Sequence, residues 1–281
     1  MTIATQQTAA SRVPVWAAAV LLTLFVIGPI LWTLSTSLKT EVKAVAFPPT
    51  IIPDPLTFAA YLDVFTHKTF MIELFNSVLY AVGSVVVALL VGLPAGYAAA
   101  RFSFRGKNTL MLIILATSMV PGVALLVPTY YLLDQLGLLN NQAVIVIISA
   151  ARLAPQTVWF VQNFVAAVPA EIDEAALVDG ATRPQILVRL ILPLIRPGIA
   201  AIAVLGMITT WNDYITVAAF APDTFKRTLQ VALVNQVFDA VGISWSYTMA
   251  FSIVASIPVV LIFLLAQKWF VAGLTAGTVK G

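Results

Sequence analysis

The chain alternates long apolar runs with short polar breaks, and the lengths of the runs decide what they are. Six runs, at about 14–36, 74–100, 109–133, 142–167, 198–221 and 248–271, match the ~20 residues a helix needs to cross a bilayer. The pattern predicts an all-α, polytopic membrane protein with six transmembrane helices. The first run, Val13–Leu34, exceeds the ~7–15 apolar residues of a signal-peptide core, so it reads as a retained span. Residues 1–13 then form a polar N-terminal tail, 14–271 the six-span domain and 272–281 a C-terminal tail.

Composition narrows this further. The 281 residues are 60% hydrophobic and only 10% charged, with a mean hydropathy of +0.99; a soluble domain carries roughly a quarter charged residues. Basic residues favour the cytoplasmic side of a membrane. With the N-terminus inside, nine Lys and Arg fall inside (Arg12, Arg101, Arg105, Lys107, Arg183, Arg189, Arg196, Lys268, Lys280) and five outside (Lys39, Lys43, Lys68, Lys226, Arg227). Both termini are therefore expected in the cytoplasm. Trp16, Trp32, Trp245 and Trp269 lie near span ends, where amphipathic rings settle. A net charge of +3, spread over particular loops, gives no surface for nucleic acid. The absence of cysteine and the single His67 leave little from which to build a metal centre or a catalytic triad.

One connection breaks the apolar pattern. Between runs four and five, "EIDEAALVDGATRPQILVRLILPLIR" gathers four of the twelve acids and three arginines into residues 171–196. Acids in the first turn after Pro169 suit a helix N-terminus, and Gly180 is placed to end that helix in a left-handed conformation. Thr182 and Gln185 have the spacing of a capping box, and Pro184 falls in a first turn that tolerates it. Ile186, Leu187, Leu190, Ile191 and Leu194 then form an apolar stripe. The segment 169–196 is predicted to be a helix–turn–helix on the cytoplasmic side. It serves either as a simple interfacial connector or as a docking knob, with small Ala175 and Ala176 admitting a partner.

The spacing Glu174-Ala175-Ala176, three residues, Gly180, nine residues, Leu190, one residue, Leu192-Pro193 resembles the coupling motif of ATP-binding-cassette importer permeases. Leu190 stands where isoleucine is usual. "NSVLYAVGS", "PAGYAAARFSFRGK", "WNDY" and the terminus "FVAGLTAGTVKG" resemble the carbohydrate-uptake branch, and within it the maltose-type permease with six spans. The resemblance implies that Glu174, Ala175, Ala176, Asp179, Gly180, Leu190 and Pro193 couple this chain to an ATPase. It further implies a second homologous permease, two cytoplasmic ATPase subunits and an extracytoplasmic substrate-binding protein, in a bacterial inner membrane. The chain has no Gly-x4-Gly-Lys-[Ser/Thr] loop. It is expected to bind no cofactor and to be no enzyme, with ATP and Mg handled by partner subunits. The 222–247 loop and the C-terminal tail would meet the binding protein and the ATPases.

Inside the spans, ionisable groups mark function by default. Arg152 and Asp213 lie at depths of about 15 and 12 Å at 1.5 Å per residue, so they either form an ion pair or face a water-filled cavity separately. Arg152, Gln156, Trp159 and Asn163 share one helical face, as do Thr209, Asn212, Asp213 and Thr216, and Asn76, Tyr80 and Ser84. These three stripes are the candidate substrate path, their alternative being polar glue between helices. Pro121 and Pro128 predict a bend in span three, and Gly92 with Gly96 forms a small-x3-small pair for close packing. Two other readings stay open: a secondary transporter using Arg152 and Asp213 as an ion or proton site, and a non-transporting membrane scaffold.

Overall fold

The computed structural model describes residues 9–238 and 242–276. Most of the N-terminal tail and the last five residues, Lys280 among them, lie outside the described residues, as do the side chains of Arg12, Lys268 and Trp269.

Helices α1 (Ala9–Ser37), α2 (Glu41–Ala44), α3 (Ala59–Thr66) and α4 (Phe70–Arg101) are followed by α5 (Lys107–Thr117), a 3₁₀ turn at Gly122–Leu125, and α6 (Leu126–Gln135). Next come α7 (Gln142–Ala166), α8 (Glu171–Val178), α9 (Arg183–Ile186), a π turn at Leu187–Ile191 and α10 (Leu192–Leu194). The chain ends with α11 (Arg196–Trp211), α12 (Tyr214–Phe220), α13 (Leu229–Val237) and α14 (Trp245–Ala276). No strand occurs among the described residues.

Among the described residues, four helices are long and apolar enough to cross a bilayer: Val15–Ser37, Phe70–Arg101, Gln142–Ala166 and Trp245–Gln267. Two bent pairs, Lys107–Thr117 with Gly122–Gln135 (84°) and Arg183–Leu194 with Arg196–Trp211 (82°), raise the number to six if each pair is one span. The break in run three is the bend its prolines predict, whereas run five, expected to be continuous, is also broken. In span three the break falls beside Pro121, which cannot donate a helical N–H; Pro128 lies in the first turn of α6, where it removes no bond. Span five is interrupted at Asn212–Asp213, between α11 and α12.

The chain divides into two compact units. The first comprises residues 1–67 and 235–254. In it the Ser37 and Tyr61 hydroxyls lie 2.7 Å apart. Buried Lys39 stands 4.7 Å over the Trp32 ring and donates to the Thr50 carbonyl. Glu41 gathers the start of α14, accepting from the Trp245 and Ser246 amides and the Ser244 and Ser246 hydroxyls.

The second unit, 68–234 with 255–281, is built on α4 lying against α7, with α11 packed on both. Small residues set this approach. A Cβ at Gly92 would stand 2.4 Å from Thr157 Cγ2, and one at Gly96 2.6 Å from Val161 and 2.9 Å from the Val158 carbonyl oxygen. The Gly92/Gly96 pair is thus the tight seam of the bundle. A second close approach sets Gly198 of α11 against the Phe164 ring. At one end of the unit Tyr97, Val161, Val165, Ala176, Ile186, Ile191 and Ile202 form a buried cluster, which carries the 169–196 connection on the bundle itself.

Candidate functional site: the α8–α10 hairpin and the Arg152–Asp213 pair

Local chemistry explains the hairpin. Helix α8 ends in a Schellman arrangement: Gly180 has φ +82°, its N–H donates to the Leu177 carbonyl, and the Ala181 N–H donates to the Ala176 carbonyl. The next helix opens with the Thr182/Gln185 capping box and Pro184 in its first turn. A π turn then spans Leu187–Ile191. It ends just ahead of Pro193, with the Leu192 N–H donating to the Leu187 carbonyl. The π turn also splits the apolar stripe: Ile186 and Ile191 are fully buried, whereas Leu190 and Leu194 are exposed.

A buried anchor fixes this hairpin to α4. The Tyr97 hydroxyl donates to Asp173 Oδ1 at 2.6 Å, Arg101 Nε donates to Asp173 Oδ2 at 3.0 Å, and Arg101 Nη2 donates to the Val168 carbonyl at 3.0 Å. Asp173 and Arg101 side chains are only 3% and 8% exposed. This anchor was not among the expected site residues, although Tyr97 and Arg101 are four apart at the end of span two and thus share a face. Of the motif residues, Ala176 is buried against the chain's own core, which corrects its assignment to a partner-facing surface. Glu174, Ala175, Asp179, Gly180, Leu190 and Pro193 are exposed.

The second feature lies deeper. Arg152 of α7 donates from Nη1 to Asp213 Oδ2 at 2.7 Å and to the Thr216 hydroxyl at 2.8 Å. Asp213 Oδ1 accepts from the Thr216 N–H at 3.1 Å, so the same carboxylate caps α12. One residue therefore both restarts a helix inside an apolar run and neutralises a cation. Arg152 is half exposed while Asp213 is largely covered. Gln156, Trp159 and Asn163 continue the exposed face of α7. Thr209 and Asn212 are exposed on α11 and just beyond it, and Thr216 is buried. Gln156 and Thr209 border a small cavity of about 40 Å³ between α4, α7 and α11.

Among the described residues, no three His, Asp or Glu side chains are grouped to hold a metal ion.

A family model described as the binding-protein-dependent transport system inner membrane component matches residues 92–276. The chain belongs to this family. An inner membrane ABC transporter permease protein, YcjP, of Escherichia coli is 31% identical over 99% of this chain and 100% of its own length. The diacetylchitobiose uptake system permease DasC of Streptomyces coelicolor is 32% identical over 94% of this chain and 95% of its own. Among solved structures, a bacterial ABC transporter involved in the import of the acidic polysaccharide alginate superposes with a TM-score of 0.82 at 26% identity. That match covers 94% of this chain and 98% of the other. The chain is accordingly a multi-pass inner-membrane permease, like its relatives a transport component.

Within this permease the matched residues include the hairpin, its Asp173 anchor and the Arg152–Asp213 pair, but not Asn76, Tyr80 or Ser84. Those three do not line a path. Asn76 Nδ2 donates to the carbonyls of Phe225 and Arg227 while its Oδ1 accepts from Gln142. The Tyr80 hydroxyl donates to the Lys226 carbonyl, and the Ser84 hydroxyl to that of Val146. All three are buried, so their polar groups hold a loop and a neighbouring helix and leave no face for a solute. A buried ion pair supports the same loop: Arg227 reaches Glu73 Oε1 at 2.8 Å, and the Thr69 hydroxyl donates to that oxygen. Glu73 lies in the first turn of α4.

Proposed function

We propose that this permease is one membrane subunit of an ATP-driven, binding-protein-dependent importer of a carbohydrate or related polyol. The observation that carries the reading is the α8–Gly180–α9 hairpin: exposed Glu174 and Ala175 project from a short helix whose inner face is bolted to α4 through Asp173. A short helix held this way transmits a push instead of absorbing it. One of two cytoplasmic ATPase subunits would seat α8, and the two would supply the ATP and Mg chemistry. Movement of α8 would tilt α4 and α7 together, switching access between the two faces of the membrane.

The carbohydrate reading draws on relatives named for sugar uptake and on the exposed polar and aromatic ribbon Gln156, Trp159, Asn163, Thr209 and Asn212. Such a ribbon can offer hydrogen bonds to hydroxyl groups and a ring to the apolar face of a sugar. A second homologous permease would complete the passage and an extracytoplasmic binding protein would deliver the solute, with both termini in the cytoplasm.

The test is to purify the tagged chain gently from its membrane and weigh the intact complex, then to measure uptake with and without ATP. Two ATPase copies and one different permease support the reading. Transport by the chain alone, driven by an ion gradient, would sink it and make Arg152 and Asp213 the engine.

A further inference from the structure

A cluster of cations lies where the α4–α5 loop meets the hairpin. The Arg183 guanidinium sits 5.3 Å from the Phe102 ring centroid, Lys107 Nζ donates to the Phe102 carbonyl at 3.4 Å, and Arg105 belongs to the same short loop. Arg105 and Arg183 are exposed and Lys107 partly so. Among the described residues no ion pair joins any of the three to a carboxylate. The acid of that corner, Asp173, is buried and already held by Tyr97 and Arg101. Arg105 and Lys107 thus have no counter-charge from the chain, while Arg183, exposed on its outer side, also lies close to the Tyr97 hydroxyl that bonds Asp173.

Their surroundings select the counter-charge. Phe102 and Phe104 alternate with the bases and are each about two-fifths exposed or more. Directly beyond Lys107, α5 runs on with Leu110, Leu112 and Ile113 exposed and no buried side chain at all. Cations at the head of an apolar helix with no buried side chain match a molecule that is anionic at one end and apolar along its length. An acidic protein surface would satisfy the charges but leave the apolar helix beneath them uncovered.

We propose that Lys107 and Arg183, both against Phe102, together with Arg105 of the same loop, hold the phosphate of an anionic phospholipid whose chains lie along α5. Basic pockets of this kind, at the cytoplasmic ends of spans, recognise acidic headgroups. The inference rests on the membrane placement of α5 and not on the compound carried. Because Arg183 opens the helix after Gly180, the lipid would brace the hairpin from the bilayer side.

Native mass spectrometry of the delipidated, fully assembled transporter, titrated with phosphatidylglycerol or phosphatidylcholine, tests this. Each cation near a charged headgroup contributes about fivefold in affinity. Lys107→Gln should therefore weaken phosphatidylglycerol binding about fivefold, and combination with Arg105→Gln and Arg183→Gln on the order of a hundredfold. Lys107→Arg should bind as wild type, and phosphatidylcholine binding should not move. Equal phosphatidylglycerol binding by wild type and triple variant overturns the proposal. So does a triple variant that sheds its ATPase subunits while binding phosphatidylglycerol normally, which would assign the patch to a protein contact. Should the triple variant misfold, the single Lys107 exchanges still decide the matter. The outcome is independent of whether the transporter carries a sugar.

Discussion

Arg152 Nη1 lies 2.7 Å from Asp213 Oδ2 while Asp213 Oδ1 caps α12. The two jobs of one carboxylate separate under mutation. Asn at 213 keeps the cap and loses the charge, whereas Ala loses both, so Asp213→Ala should be less stable than Asp213→Asn by about 1 kcal/mol. Both should impair transport. A double-mutant cycle with Arg152→Met should show coupling of about 0.5–3 kcal/mol in the melting of the purified transporter. The charge swap should restore the pair but not the cap, giving incomplete rescue. Zero coupling would mean that the two residues act separately.

Gly180 has φ +82°, and a Cβ added there would meet nothing within 4 Å. Any penalty at this site is therefore conformational and not steric. Gly180→Val should cost roughly 1–2 kcal/mol and distort the turn, while Gly180→Asn, which tolerates the left-handed region, should cost less. On the proposed function, the valine variant assembles but loses substrate-stimulated ATPase activity. Normal stimulation in that variant would remove the turn from the coupling account.

What could be read from the chain alone was what is decided locally. The Gly180 turn, the Thr182/Gln185 capping box and the Pro121 break each depend on residues a few positions apart, and each formed where the spacing placed it. The Arg152–Asp213 pair was legible only as one of two alternatives, because a lone charge in each of two apolar runs has few places to go. Asn76 misled because its partners are backbone carbonyls 149 and 151 residues away, which no side-chain pattern announces. The same spacing that suggested a lined passage serves to capture a loop. The apolar stripe did not hold as one face because the π turn changes the helical period just where α-helical spacing was assumed. Asp213 was legible as a charge but not as a cap, so the break in span five went unseen.

The glycine seam gives a graded test of packing. A methyl at Gly96 would press on the β-branched Val161 and on a backbone oxygen, neither of which yields; at Gly92 it would press on the Thr157 side chain alone within 3 Å. Both Gly→Ala changes should destabilise by about 1–3 kcal/mol. Thr157→Ser, which removes the Cγ2 methyl, should recover part of the loss at Gly92 and none at Gly96. Gly28→Ala, with nothing within 4 Å, is the control that should leave melting unchanged. Equal effects at positions 28 and 96 would argue against α4–α7 contact as the source of stability.

Glu41 makes one stabilising contact sensitive to pH. Burial acts to raise its pKa, but hydrogen bonds from the Ser246 hydroxyl, the Trp245 and Ser246 amides and the Ser244 hydroxyl outweigh burial, and the carboxyl is held below its ordinary value of 4.5. A carboxylate with a lowered folded-state pKa stabilises the fold fully above the unfolded pKa, and the contribution fades as pH falls through the folded value. The start of α14 should therefore be insensitive to pH near neutrality and loosen below about pH 4.5, a window set by that ordinary value. Hydrogen exchange at the Trp245 and Ser246 amides, corrected for intrinsic rates, should report this loosening. Glu41→Gln keeps an acceptor but carries no charge, so it should expose these amides already at neutral pH and remove the acid-dependent step. An acid step of unchanged size in the glutamine variant would assign the sensitivity to another group.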